Sequence, residues 1–352
     1  MRTVQVIASR TLGGAEGFFG RLCRGLGERG CEVHAVLREG SALAGALSGA
    51  VAHSSLPLRT VWDPLSRREL RREIKRRAPD LVQTWMSRAT RLTRAPRGVV
   101  HVARLGGYYT PSRFEHADAL VVNSRGLADF LVGAGLPAHR VHLIGNFVEA
   151  APVDAARCAR ARAALKVPAD AWLLLAVGRC VPVKGWDVLL QALARVPAQV
   201  DGRPVALVLL GDGPQRETLQ ALARQLGLAA RVHFAGWQTD PAPFYALADL
   251  VVFPSRAPEA LGNVILETWA HGRPLLTTAS HGARELTRPG SDAWQVPCED
   301  AAALAHGMVS LLGDAGARAA LAAGGRARLA GEFGRDAVLG AYVELYRRLL
   351  GA

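Results

Sequence analysis

The chain has 352 residues, 50% of them apolar and 21% charged, with 37 glycines and a formal net charge of +13. That is enough for two domains of ordinary size, and it excludes a disordered chain, a collagen-like repeat and a disulfide-framed miniprotein. No run approaches the roughly 18 uninterrupted apolar residues of a membrane-spanning helix, Met1 to Arg10 breaks off too early for a secretory signal, and five scattered cysteines fit reduced thiols, so a cytoplasmic protein is expected.

Along the first half, short apolar runs at Thr3 to Ala8, Glu32 to Leu37, Leu81 to Thr84, Val99 to Ala103, Ala119 to Asn123 and Val141 to Ile144 alternate with amphipathic stretches. This is the pattern of parallel strands with helical crossovers. Behind the first run, Thr11-Leu-Gly-Gly-Ala-Glu-Gly17 opens a helix reaching to about Arg29. Gly13 and Gly14 let the backbone approach a ligand, and the helix start offers N–H groups to an anion, although a tight strand-to-helix turn reads the same way. No Gly-x-Gly-x-x-Gly fingerprint and no Walker-type Gly-Lys-Ser/Thr follows.

Residues 1–150 hold 22 basic residues against 12 acidic ones. The densest stretch is Ser66 to Pro79, where Leu70 and Ile74 mark one helical face and seven basic residues cover the rest. A solvated surface helix is the plain reading; an anionic membrane surface or a phosphorylated glycolipid is the functional one. Aromatic residues are only 6% of the chain and do not interleave with the basic ones to stack bases, which argues against nucleic acid. Trp85 and Arg88, past the third strand, are expected to reach a ligand cleft, while His101 lies within the fourth strand and reads as a core group or an acceptor contact. His139 and His142 stand three apart without further ligands, which argues for surface positions over a metal site.

Val148 to Ala156 is a small, proline-bearing linker, after which strands recur at Trp172 to Val177, Ala206 to Leu210, Val232 to Ala235, Leu250 to Phe253 and Pro274 to Thr277. The expected architecture is two Rossmann-like, doubly wound α/β domains facing a cleft: residues 1–160, residues 161–335, and a helix over 336–352 packing back on the first. Ligands of such sheets sit at the carboxyl ends of the strands. There, after Val177, stands Gly178-Arg-Cys-Val-Pro-Val-Lys-Gly185, holding one of only three lysines among forty arginines, with helix 186–196 behind it. Arg179, as a fork, and Lys184, as a point charge, can grip a diphosphate. After Phe253, Glu259 and Glu267 are set so that, with a helix beginning near Gly262 or Asn263, one carboxylate lies in the loop and the other one turn into the helix. They can accept hydrogen bonds from sugar hydroxyls and a ribose diol, and the amides around Gly262, Asn263 and Val264 face the phosphates.

With these residues in place the chain resembles the GT-B fold retaining glycosyltransferases of family 4. The resemblance rests on Gly13-Gly14-Ala15-Glu16, Gly178-Arg179 with Lys184-Gly185, Gly211-Asp-Gly-Pro214, Ala248-Asp249 before Pro254-Ser255, and Glu259 to Glu267, in the family's order over nearly the whole chain. It implies that Arg179 and Lys184 contact the donor diphosphate, Glu259 the sugar and Glu267 the ribose, with Gly14 capping the phosphates. Many relatives place a histidine after the fourth strand of the first domain; here Arg104 takes that place, as a group beside the transferred sugar. The resemblance further implies transfer from a nucleotide-diphosphate sugar to a hydroxyl acceptor with retention, in lipopolysaccharide or other cell-surface glycan synthesis, with no metal or other cofactor. The acceptor is expected to be a glycan or glycolipid, with the inner membrane face as an expected meeting place. The alternative from another class is a non-catalytic basic module binding an anionic membrane or nucleic acid.

Overall fold

The computed structural model describes residues 1–165 and 167–351; Lys166 and Ala352 lie outside the described residues. The chain forms two compact units, one of Met1–Phe147 together with the stretch from Gly334 onward, the other Val148–Phe333.

The first unit winds around a seven-stranded sheet of β1 (Arg2–Ile7), β2 (Glu32–Arg38), β3 (Ala52–Leu56), β4 (Leu81–Trp85), β5 (Val100–Leu105), β6 (Ala119–Val122) and β7 (Val141–Leu143). All pairs are parallel, in the order β3-β2-β1-β4-β5-β6-β7. Helices cover both faces, so the central strands are buried on both sides, and the polar residues they carry, Gln5, Gln83, Thr84, His101 and Arg104, are buried with them. The helices in chain order are α1 (Gly14–Glu28), α2 (Leu43–Leu47), α3 (Pro64–Arg77), α4 (Met86–Leu92) and α5 (Arg125–Gly133). In α3 the side chain of Asp63 accepts the Leu65 N–H at 3.1 Å, Pro64 takes the first turn, and Ala78 ends the helix in the left-handed region. Leu70 and Ile74 are sealed against Val4, Val6, Val36 and Val82, each burial stabilising by roughly 1.5–3 kcal/mol.

The second unit repeats the plan with β8 (Trp172–Val177), β9 (Gln199–Val200), β10 (Arg203–Leu210), β11 (Val232–Gly236), β12 (Leu250–Phe253), β13 (Leu275–Thr278) and β14 (Trp294–Val296). Its parallel path is β11-β10-β8-β12-β13-β14, and β9 adds antiparallel to β10. Its helices are α6 (Ala155–Leu165), α7 (Trp186–Leu193), α8 (Arg216–Gln225), α9 (Ala242–Leu247), α10 (Asn263–Ala270), α11 (His281–Leu286), α12 (Ala301–Gly313) and α13 (Ala315–Glu332). The two cores of this unit lie on opposite faces of the sheet, one around Leu174, Leu189 and Leu207, the other around Leu173, Tyr245 and Trp269.

Both sheets are therefore doubly wound, and each reverses its strand order once, between β1 and β4 and between β8 and β12. The division between units falls at Phe147 and Val148 and not at residue 160, because α6 buries Ala161 and Leu165 against Phe244 and Tyr245 of the second unit. The last helix, α14 (Arg335–Leu350), belongs to the first unit: Tyr342 and Tyr346 are buried beside Phe18, and Tyr346 Oη donates to Gln83 Oε1 at 2.8 Å. Among the described residues no helix is long and apolar enough to cross a membrane. All five cysteines are free.

Candidate functional site

The reversal between β8 and β12 opens the carboxyl ends of these two strands, and the loops that follow them are built to touch. After β8 the chain turns at Gly178 (φ +154), a position over which the aliphatic chain of Lys184 lies, and closes in a 3-10 turn over Pro182–Lys184. Gly185 (φ +62) then starts α7. A side chain at Gly185 would run into the Pro254 carbonyl oxygen, so glycine lets the β8 loop meet the β12 loop. From the other side Arg256 forks onto the Asp187 carboxylate at 3.0 and 2.7 Å, reaches Glu299 at 3.1 Å and the Pro182 carbonyl, and gives its backbone N–H to Val183 O at 2.8 Å.

This clamp presents Lys184 to Glu259. Nζ donates to Glu259 Oε2 at 2.6 Å and stands 5.4 Å from the Phe253 ring centroid; Ser255 Oγ is 3.4 Å from the same carboxylate oxygen. The two charged side chains keep 17% and 16% of their exposure, mostly buried but still reached by solvent. Arg179 is exposed and has no hydrogen bond or ion pair from its side chain to another described residue. Gly262 (φ +84) turns the chain into α10, and a Cβ there would come within 2.5 Å of the Phe253 ring. Glu267, one turn in, takes the Tyr245 hydroxyl on Oε2 at 2.7 Å, while Oε1 has no partner among the described residues. Tyr245 is buried and stacks on His271 at 4.7 Å, 11° from parallel, and His271 Nδ1 contacts the Glu267 carbonyl oxygen at 2.8 Å. Burial, and after it the neighbouring carboxylate, raises the Tyr245 pKa well above the phenolic range, so Tyr245 remains the donor of this bond.

Two cations, two carboxylates and a helix N-terminus thus lie on the segments that follow the carboxyl ends of the central strands β8 and β12. Cations and a positive helix end suit an anion; carboxylate oxygens open to solvent suit hydroxyls. Gly178, Lys184, Glu259 and Gly262 touch one another or Phe253; Asn263 and Val264 open α10; Glu267 joins them through α10.

In the first unit Gly13 and Gly14 lie past the carboxyl end of β1, with Gly13 capping α1 in extended backbone. The Glu16 carboxylate folds back so that Oε2 lies 2.9 Å from where a Gly13 Cβ would be, and this N-terminus therefore already carries an acid of its own. Arg88 is exposed and reaches the Ala8 carbonyl at 3.4 Å, beside the β1/β4 reversal.

Two expectations in this unit are corrected, and for His101 the first of its two readings holds. Trp85 is fully buried against Phe18 and Phe19 and gives its indole N–H to Gln5 at 3.1 Å, so it is a core residue. Arg104 is 1% exposed, its guanidinium held between the Phe18 and Trp85 rings at 5.0 and 4.9 Å and bonded to Asn146 Oδ1. It cannot stand beside a transferred sugar in this conformation. His101 is equally buried, with Nε2 3.0 Å from Thr84 Oγ1, and burial pushes its pKa down to about 3. It too is packing, not an acceptor contact.

Sequence reading gave no role to Tyr245 or Arg256, and none to Ser255 beyond its place in the Pro254-Ser255 motif. Tyr245 stands 22 residues before the carboxylate it holds, and only the α9–β12–α10 connection brings the two together. Arg256 sits inside the motif but among forty arginines carries no mark of its own.

Two family profiles match the chain, one described as Glycosyltransferase Family 4 over residues 12–151 and one described as Glycosyl transferases group 1 over residues 172–314. The chain is 38% identical to the lipopolysaccharide core biosynthesis glycosyltransferase LpsE of Rhizobium meliloti (strain 1021), over 95% of each chain. It is 34% identical to LpsD of the same organism, over 96% of each. Among solved structures, Anabaena Alr3699/HepE in complex with UDP-glucose matches with a TM-score of 0.86 at 21% identity, covering 98% of this chain and 99% of that one. WaaG, a glycosyltransferase involved in lipopolysaccharide biosynthesis, matches with a TM-score of 0.74 at 20% identity over the whole of both chains. At these identities the structural likeness establishes the fold.

Proposed function

The chain belongs to the group 1, family 4 glycosyltransferases, and from that premise we propose that its second unit binds a nucleoside-diphosphate sugar and passes the sugar, with retained configuration, to a hydroxyl of a cell-surface glycan such as a lipopolysaccharide core. The observation that carries this reading is the Lys184–Glu259 pair at 2.6 Å, set where β8 and β12 part, with Arg179 and the start of α10 at the same strand ends. On donor binding Lys184 exchanges its carboxylate for a diphosphate oxygen and Arg179 takes another. Glu259 is then free for the sugar hydroxyls, and Glu267 Oε1 accepts from the ribose.

In the chemical step the bond from the anomeric carbon to the diphosphate oxygen breaks and the acceptor oxygen bonds to that carbon on the same face. The acceptor proton passes to the departing phosphate oxygen. Arg179, Lys184 and the α10 dipole hold the charge that develops on the leaving group, an electrostatic stabilisation already in place before reaction. That fixed positive charge is the reason we assign the reaction no metal and no other cofactor. Arg88, exposed at the β1/β4 reversal, is assigned to the acceptor, and the enzyme to the cytoplasm, where it draws on nucleotide sugars.

A thermal-shift screen of UDP-, GDP- and ADP-sugars, with NADH as the contrasting ligand, tests the reading. A donor at 100 times its Kd stabilises the folded chain by about 2.7 kcal/mol. One nucleotide-sugar class should raise Tm, Lys184→Ala should abolish the shift, and Glu259→Ala should abolish transfer. Stabilisation by NADH alone, or an unchanged shift in Lys184→Ala, would overturn the assignment, and binding without any transfer would favour a non-catalytic module.

A further inference from the structure

The cations of α3 are sorted by the fold into two groups. Arg76 and Arg77 turn back onto the buried carboxylate of Glu73. Arg67, Arg68, Arg71, Arg72 and Lys75 instead line one open depression of about 440 Å³, all exposed, and none of the five has an acidic partner among the described residues. At 100° per residue these five positions fall in an arc of about 140° along about 12 Å of helix, on the flank beside the buried seam of Leu70 and Ile74. Arg67 with Arg71, Arg68 with Arg72, and Arg71 with Lys75 are like-charge pairs four residues apart, each destabilising to the helix in water. Against an extended array of negative charge that repulsion turns into attraction.

A second, independent feature stands at the amino end of the same helix. Leu65, next to the stripe, is 46% exposed, and Trp62, in the preceding turn, is 78% exposed with the Arg91 guanidinium 5.6 Å from its ring. An indole and a leucine offered to solvent beside unpaired cations match the headgroup boundary of a bilayer, which takes aromatic rings at the interface and holds cations by its surface potential. They match nucleic acid poorly, since one indole cannot stack successive bases along a strand.

We propose that α3 and the Trp62–Leu65 turn dock the protein peripherally on a bilayer rich in anionic lipid. The depression receives phosphate-bearing headgroups, and Trp62 and Leu65 enter the interface above the acyl chains. The proposal uses only residues of the first unit and stands whether or not the donor assignment does; it would place a lipid-carried acceptor within reach of the enzyme.

The test is flotation of the full chain with vesicles of phosphatidylcholine alone or mixed with phosphatidylglycerol, at low and high salt. Binding is expected only to the mixed vesicles and should fall steeply with salt. The triple variant Arg67→Gln/Arg71→Gln/Lys75→Gln should weaken binding about 10²-fold, at roughly fivefold per cation lost. Trp62→Ala should weaken the binding that survives high salt. All these residues are exposed; nucleotide-sugar binding should stay as in the parent, and thermal melts of the triple variant should hold or rise slightly because two like-charge pairs are gone. Equal binding to neutral vesicles, or no loss in the triple variant, would overturn the proposal. So would a triple variant that loses an oligonucleotide but keeps the vesicles.

Discussion

Glu259→Gln should separate nucleotide binding from sugar transfer, with opposite signs. In the free protein the Lys184 ammonium is occupied by Glu259 at 2.6 Å, both groups mostly buried. A charge-assisted hydrogen bond of this kind contributes about 1.5–3 kcal/mol net, and a diphosphate must displace it before it can take the lysine. Glutamine keeps the shape and removes the competing charge, together with the repulsion between the carboxylate and an incoming diphosphate. Bare nucleoside diphosphate, titrated calorimetrically, should therefore bind up to about tenfold more tightly than to the parent, a gain of about 1.4 kcal/mol. Turnover of the matching nucleotide sugar should fall about 10²–10³-fold, because the group we assign to the sugar has lost its charge. Lys184→Met is the counterpart and should lose on both counts. If Glu259→Gln binds the diphosphate more weakly than the parent, or turns over at the parent rate, the exchange of partners proposed for Lys184 is wrong.

Other perturbations follow from the same contacts. Arg179→Ala removes an exposed side chain without a described partner, so urea melts should move by less than about 0.5 kcal/mol while kcat/KM for the donor drops at least tenfold; a large loss of stability would contradict this. Tyr245→Phe removes the hydroxyl bond to Glu267, and KM for the donor should rise several-fold with kcat little changed, a penalty that should vanish for a donor lacking the ribose hydroxyls. Gly185→Ala forces a side chain into a left-handed position against the Pro254 carbonyl and should cost about 2 kcal/mol or more in denaturant melts; a cost under 0.5 kcal/mol would show that the two loops can part. Burial lowers His34 to about 4 and His101 to about 3 from an ordinary 6.5. Between those values the unfolded chain binds more protons than the folded one, so stability must fall as pH drops below about 6.5. Tm measured from pH 7 to pH 4.5 should fall throughout, and a flat profile would refute the burial of these rings.

Much of this arrangement was legible in the residue order, and the failures share a cause. Strands buried on both faces, such as β8 and β12, announce themselves as apolar runs, whereas β3 is Ala-His-Ser-Ser-Leu at a sheet edge, half-exposed, and β9 and β14 span two and three residues. None of these carries enough periodicity to be read. The errors over Trp85 and Arg104 are errors of one or two residues in strand length. With β4 ending at Thr84 and β5 at Ala103, both side chains would lie in loops past the sheet; in fact the strands run on to Trp85 and Leu105, and Trp85 and Arg104 are register partners inside it. Side chains of adjacent strands at one register position share a face, and here that face is the core under α1. The loops of the second unit are marked in the sequence by glycines that their backbone requires: Gly178, Gly185 and Gly262 each occupy backbone that other residues avoid. What no spacing could disclose is that Lys184 and Glu259, 75 positions apart, are already bonded to each other.

A crystal structure of the chain with its nucleotide sugar bound would decide the matter. The diphosphate should lie within hydrogen-bonding distance of both Arg179 and Lys184, the ribose on Glu267, and the Lys184–Glu259 bond should be open with Glu259 turned to the sugar. A donor seated elsewhere, with that bond still closed at about its present 2.6 Å, would contradict the assignment of these strand ends.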